Sequence, residues 1–325
     1  MKNLIRLLIS MFAMAFTTLQ AQDPQFSQFY SNPVSLNPAL VGIANQSRAV
    51  LIHRQQGGKT FGYTTSGFSF DSSFGRGSSG WGIQVINDNQ INGIVKSKTY
   101  NGSLAHRINF SNESQLGIGI RAGMYTKEIS YDQLTFEDQL DSRNGVVSTT
   151  NETFGKNKVS NADVSIGMLY SSKNIFAGVN VNHINRPKEN FAMDSESKLA
   201  MRYTIHAGGF LYSKNYRRQD YVISPNIVYE RQGTFNYLNL GTYVATETWT
   251  VGAWYRWDDA VIMSLGANFS NFKVGYSYDI PVTKYSSMNY KAHEFTLAYH
   301  FQIQKKFKVK NKYKGQCPKF QKYLF

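Results

Sequence analysis

Six histidines stand at positions 53, 106, 183, 206, 293 and 300. None is spaced His-x-x-x-His, the interval that sets two imidazoles on one helical face around zinc. There is no Gly-x-Ser-x-Gly elbow to raise a nucleophilic serine above a sheet. Ser264, His293-Glu294 and Asp258-Asp259 read as isolated polar groups in strands or turns. Carboxylates gather in two stretches, 128–141 with Asp132, Glu137 and Asp138, and 194–196. Such oxygens suit calcium, but no twelve-residue calcium loop is present. The single cysteine, Cys317, has no partner for an internal disulfide. It reads as an inert thiol, or as one that pairs with another chain in an oxidising compartment. These residues imply no catalytic centre, no metal and no cofactor.

The elements that hold them begin with a leader. Lys2 and Arg6 give a basic start, Leu7 to Phe16 is apolar except for Ser10, and Leu19-Gln20-Ala21 offers a small residue at a cleavage point. This is the pattern of a secretory signal peptide over residues 1–21, with Gln22 as the first mature residue. The apolar run is too short to cross a bilayer as a helix. No cysteine near the cut would carry a lipid anchor, and no run of 18 apolar residues follows. With 14% aromatic residues and a mean hydropathy of −0.38, the chain is no helical membrane protein. It is either an exported soluble protein or a barrel whose apolar residues alternate with polar ones.

The charge of +14 is unevenly placed. Residues 303–325 hold eight lysines, among them Lys305, Lys308 and Lys312, and no acid. Taking away those eight and the two leader charges leaves +4 for residues 22–302. The basic character therefore belongs to a tail, which suits an acidic partner or anionic groups near a membrane. It does not make a nucleic-acid surface.

From residue 47 the chain alternates with period two. In 260–269, Val261, Met263, Leu265, Ala267 and Phe269 make an apolar face, with Ser264, Gly266 and Asn268 opposite. In 271–280, Phe272, Val274, Tyr276, Tyr278 and Ile280 oppose Lys273, Gly275, Ser277 and Asp279. Fourteen such segments are predicted: 47–55, 61–71, 80–88, 94–108, 115–130, 159–172, 174–183, 201–212, 220–231, 235–246, 249–257, 260–269, 271–280 and 290–302. Most have the nine or more residues a tilted strand needs to cross a bilayer. The connections sort by parity. Even ones are short, and odd ones include the two longest, 131–158 and 184–200. Short periplasmic turns with long external loops mark an outer-membrane barrel, so the fold expected is all-β, a transmembrane antiparallel β-barrel of about 14 strands over 47–302, with both termini periplasmic. A soluble β-sandwich has no reason to sort its loops so. The glycines of strand faces (Gly117, Gly119, Gly123, Gly275) are expected to let neighbouring Tyr or Arg side chains lie across them; the other reading is a closely packed ligand or chain.

Residues 22–46 carry Pro24, Pro33 and Pro38, with Asn-Pro at Asn32-Pro33 and Asn37-Pro38. Proline lacks a ladder donor and restricts the residue before it, so this stretch is irregular. A fourteen-strand lumen is wider than its own side chains fill. The segment is expected to fold against the periplasmic mouth or plug it, the alternative being a flexible leader.

The run from Gln22 to Gly42, of the form QDPxFSQFYxNPxxxNPAxxG, resembles the PorP/SprF family of type IX secretion system membrane proteins, and Arg48 and Arg54 fall where the family shows arginines on its first strand. His53-Arg54-Gln55-Gln56 departs from the aromatic residue more often found beside that arginine. The resemblance implies a non-enzymatic outer-membrane protein of the type IX export and gliding machinery. Some members look like core components joined to periplasmic lipoproteins; others serve the export and surface anchoring of one large adhesin. The expected partners are therefore a large secreted adhesin or other type IX substrate, the translocon and outer-membrane lipid. Candidate contact residues are Asn32, Pro33, Asn37, Pro38, Arg48 and Arg54, the loop acids Asp132, Glu137 and Asp138, and Lys305, Lys308 and Lys312. A passive diffusion channel is the alternative function.

Overall fold

The computed structural model describes residues 23–301 except 45, 59–61, 111–113, 142, 144, 147, 152–154, 192–196, 213–220 and 284–290. The expected leader, the lysine-rich stretch with Lys305, Lys308 and Lys312, and Cys317 lie outside the described residues.

Fourteen antiparallel strands close into a barrel. They are β1 (Ser47–Gln56), β2 (Tyr63–Phe74), β3 (Ser79–Gln90), β4 (Val95–Asn109), β5 (Gln115–Ile129), β6 (Lys158–Ser171) and β7 (Ile175–Asn182). Then come β8 (Arg202–Gly209, resumed at Leu211–Tyr212), β9 (Val222–Gln232), β10 (Phe235–Ala245), β11 (Trp249–Arg256), β12 (Ala260–Phe269), β13 (Phe272–Pro281) and β14 (Ala292–Phe301). Each strand pairs with its successor, and the wall closes where β1 meets β14, Ser47 opposite Phe301. The strand assignment of β8 breaks at Phe210, although its N–H still donates to Asn174 O, the next rung toward β7. A closed ladder leaves no edge groups to desolvate, the condition for strands in lipid.

The period-two alternation decides which way each face points. Leu51, Ile120, Met263, Leu265 and Phe295 are all more than half exposed on the outside. Their inward neighbours in the same strands, Arg54, Arg121, Ser264 and Glu294, are buried. Apolar outside and polar inside is the reverse of a soluble barrel and the expected state of one bathed in lipid.

Most even connections are brief, as at 172–174, 246–248 and 270–271, while the one at 213–221 lies largely outside the described residues. The odd connection 130–157 carries a small hairpin, Leu140–Asp141 paired with Gly145–Val146. The two rims are therefore a short-turn end and a long-loop end. Residues 23–46 fill the lumen between them. Among their described residues the one α-helix is α1 (Pro33–Leu36), followed by a 3₁₀ turn at Pro38–Leu40. Each starts with proline after a non-helical Asn, that at Asn37 extended, since proline's fixed φ suits the first helical position and disfavours helix in the residue before it. The Asn37 side chain also accepts from Ala39 N at 2.9 Å, capping the turn.

Candidate functional site

The plug can be followed from one rim to the other by its partners. At the long-loop end, Asp23 Oδ2 lies 2.7 Å from His183 Nε2 and 3.5 Å from an Arg202 nitrogen, and Asp23 N donates to Gln232 Oε1. His183 follows β7, Arg202 opens β8 and Gln232 closes β9, all at this rim. His183 Nδ1 also meets Asp163 at 2.8 Å, while Arg202 pairs with Glu230. Burial alone would lower the His183 pKa, but the Asp23 and Asp163 carboxylates outweigh it and raise the group to about 10. Burial likewise opposes charge on Asp23, yet His183 and Arg202 hold its carboxyl well below the usual range.

Further along, Ser27 N and Gln28 N donate to the two Glu294 oxygens at 2.7 and 2.9 Å. Arg54 bridges Glu294 (3.2 Å), Asp279 (2.8 Å) and Ser27 Oγ (2.8 Å), all buried. Arg256 joins from β11 through Asp279 and Asp259. Two carboxylates side by side in a lumen repel unless guanidinium groups sit between them, and here two do. Glu294 and the Asp258-Asp259 pair were expected to be isolated groups; Glu294 and Asp259 are bound into this network. Parity is the signal that could have found it. Asp279, Glu294, Arg54 and Arg256 all occupy inward positions, where a charge needs water or a partner.

At mid-height Phe29 and Tyr30 enter an aromatic nest on the wall. Phe29 lies 4.9 Å from Trp254, and Tyr30 lies 5.7 Å from Phe176 and 6.2 Å from Tyr243. Burying each ring is worth roughly 2–3 kcal/mol. Below this, Asn32 accepts from Ser69 Oγ, Asn180 Nδ2 donates to Leu36 O, and Arg121 donates to Val34 O. Asn37 Nδ2 reaches Met168 O and Val179 O at 3.1 and 3.2 Å. At the short-turn end Arg107 donates to Val41 O and Gly42 O, both at 2.9 Å. Gly42 N donates to Asp71, which also holds Arg48 by both oxygens.

Three expectations change. The segment does plug, but over the full height of the lumen. Its described beginning, Asp23, lies at the long-loop end and not at the short-turn end expected for the mature amino terminus, because the charged groups that bind it sit on that rim. The wall glycines also answer differently. A Cβ at Gly119 would collide with the backbone of Pro38 and Ala39, and one at Gly117 would touch Ala39 O at 3.4 Å. At Gly119 the plug backbone needs that space; at Gly117 it shares the space with the neighbouring Arg107 side chain, 3.5 Å away, so there the expected Arg does lie across the glycine. Gly123 faces Tyr100 O and Asn101 of the neighbouring strand, and Gly275 faces Gln28 of the plug and Thr296.

Above the plug, at the long-loop end, is a vestibule of about 700 Å³. Asp23, Pro24 and Gln25 form part of its floor, and Tyr63, Lys127 and Tyr237 part of its wall. Glu189, from the long 183–201 connection, reaches in to pair with Lys127 (3.2 Å) and Tyr125 OH (2.8 Å). The candidate contact residues thus divide. Asn32, Pro33, Asn37, Pro38, Arg48 and Arg54 are buried against plug or wall. Asp132, Glu137 and Asp138 are exposed in the 130–157 loop, where Asp138 accepts from Thr150 Oγ1 and Asn151 N and so shapes the loop itself.

No curated protein matches the chain. Solved structures that resemble it include a Pseudomonas aeruginosa FadL homologue, with 10% identity and a TM-score of 0.43 over 82% of this chain and 93% of that one. The β domain of the Bordetella autotransporter BrkA has 10% identity and a TM-score of 0.41 over 79% and 99% of the two chains. The KdgM porin in complex with disordered oligogalacturonate has 9% identity and a TM-score of 0.39 over 78% and 99%. The family model described as type IX secretion system membrane protein PorP/SprF matches residues 18–299. An outer-membrane β-barrel with its lumen filled by its own amino-terminal segment, this chain belongs to the PorP/SprF family of type IX secretion system membrane proteins.

Proposed function

We propose that the protein is a non-enzymatic accessory of the type IX secretion and gliding machinery that supports export of a large adhesin-type substrate and anchors it at the cell surface. The observation that carries this reading is the division of the lumen. The plug is bonded to the wall at every level, so the barrel is built as a scaffold. What remains open is a vestibule of about 700 Å³ facing the long loops, large enough to receive side chains of a partner. The long loops face the cell exterior, as in outer-membrane barrels generally, and one of them carries the exposed acids Asp132 and Glu137. The lysine tail serves periplasmic contacts with the translocon or its lipoproteins.

The test is affinity capture of the tagged protein from its own outer membranes, scored beside surface display of what is captured. The account expects one very large secreted protein to be recovered, and its display to fall when Gln25 and Tyr237 are replaced by tryptophan to fill the vestibule. Recovery of periplasmic lipoproteins alone would favour a core secretion subunit. The diffusion-channel reading draws on the polar inward face of the wall, and a steady conductance from the intact protein would favour it.

A further inference from the structure

We infer that the short-turn end of the lumen holds a binding site for a small anion, an oxyanion such as phosphate or a carboxylate group. A cavity of about 70 Å³ lies there between the plug and the β11–β14 wall. Its lining includes Arg48, Lys273 and His300, together with the hydroxyls of Thr250, Ser264 and Thr296, and no carboxylate. All six sit at inward positions of their strands. Arg48 is held in place by Asp71, through Nε at 2.9 Å and Nη2 at 3.0 Å, so its charge is positioned and not swinging.

His300 supplies a second observation. Its Nδ1 lies 3.1 Å from Gln46 Nε2. With the amide nitrogen donating, Nδ1 accepts and the proton of the neutral ring stands on Nε2. That Nε2 is buried and has no partner among the described residues. A buried donor without an acceptor is costly, and an anion in the cavity beside it satisfies the group. An ammonium, an imidazole N–H and several hydroxyls around one small volume make charge-assisted hydrogen bonds to oxygen anions, the strong class. The volume admits one such group with its nearest waters, not a chain of sugars or a lipid.

The experiment uses the full-length protein in detergent, with thermal unfolding followed in phosphate, acetate or chloride at equal ionic strength. Heat-dependent gel mobility confirms that each variant is a folded barrel. Phosphate is expected to raise the midpoint above chloride, and Lys273→Met is expected to weaken the apparent affinity by roughly tenfold or more. His300→Gln is expected to reduce it while leaving the charge pattern intact, and it carries the test if Lys273→Met does not fold. Stabilisation by phosphate alone assigns a free oxyanion, whereas stabilisation by acetate as well assigns a carboxylate presented by a chain. Lys158→Met, exposed at the opposite rim, is expected to behave as the unaltered protein. No stabilisation by either anion, or the same stabilisation in Lys273→Met and His300→Gln as in the unaltered protein, overturns the inference.

Discussion

Replacing Arg54 with methionine would remove the cation that ties the plug to β13 and β14. The side chain lies 2.8 Å from Asp279 and 3.2 Å from Glu294, and all three groups are at most 4% exposed. At about 3 Å and an effective dielectric near 20, each pair attracts by about 5 kcal/mol, much of it offset by desolvation. Breaking a buried pair from one side costs about 3–5 kcal/mol, because the remaining charge is left behind. Arg256 still reaches Asp279 at 3.5 Å, and Glu294 keeps the two backbone donors of Ser27 and Gln28. The lower figure, about 3 kcal/mol, is therefore expected. At 1.4 kcal/mol per tenfold, the undocked fraction of this part of the plug rises about 100-fold. Amide hydrogen exchange reads it directly, since Ser27 N–H and Gln28 N–H are protected only while docked on Glu294. Both amides should exchange about 100-fold faster in Arg54→Met, by less in Arg54→Lys, and at the original rate in the exposed Arg231→Met. Unchanged protection at Ser27 and Gln28 in Arg54→Met would refute the claim that this network holds the plug.

Gly119→Val sets a branched side chain into the Pro38–Ala39 backbone and should cost about 1–3 kcal/mol by overpacking. Gly102→Ala, whose new Cβ would meet only Ala122 O at 3.9 Å, should leave the thermal midpoint where it is. The Asp23–His183 contact fixes a pH window. The raised pKa of His183 means its contribution is fully present below its ordinary value of 6.5 and is lost as pH rises through about 10. The lowered pKa of Asp23 means its contribution is present above the ordinary carboxylate value and fades only in stronger acid. Proteolysis near residue 23 should therefore stay slow from mildly acid to neutral pH and accelerate above about pH 10, with His183→Gln removing the alkaline step.

Period-two alternation made the wall legible. For every strand the predicted and observed boundaries agree within about three residues, because a lipid-facing residue and a lumen-facing residue must differ in kind at each step. The even count and the sorting of loops followed from the same constraint. The path of the plug was not legible. Nothing local in 22–46 says which rim Asp23 binds, since His183, Arg202 and Gln232 come together only when β7, β8 and β9 are side by side. Asn32 and Asn37 were marked by their proline neighbours and do position the plug. Glu294 and Asp279 were passed over because, in a strand read by itself, an inward charge looks like any polar residue. Its meaning lies in what fills the lumen opposite it. The loop acids were picked out by composition; Asp132 and Glu137 are exposed, while the Asp138 carboxylate is engaged by Thr150 and Asn151 within the loop.

The measurement that bears most directly on the account is the side from which the start of the plug can be reached. A cysteine at Gln25, in a background where Cys317 is replaced by serine, would be treated with a membrane-impermeant maleimide on intact cells. A second cysteine at Lys173, exposed in the short turn between β6 and β7, reports the other rim. The account predicts that residue 25 reacts on intact cells and residue 173 only after the outer membrane is permeabilised. Reaction of residue 25 only after permeabilisation would contradict a plug that runs the height of the lumen and forms the floor of an outward-facing vestibule.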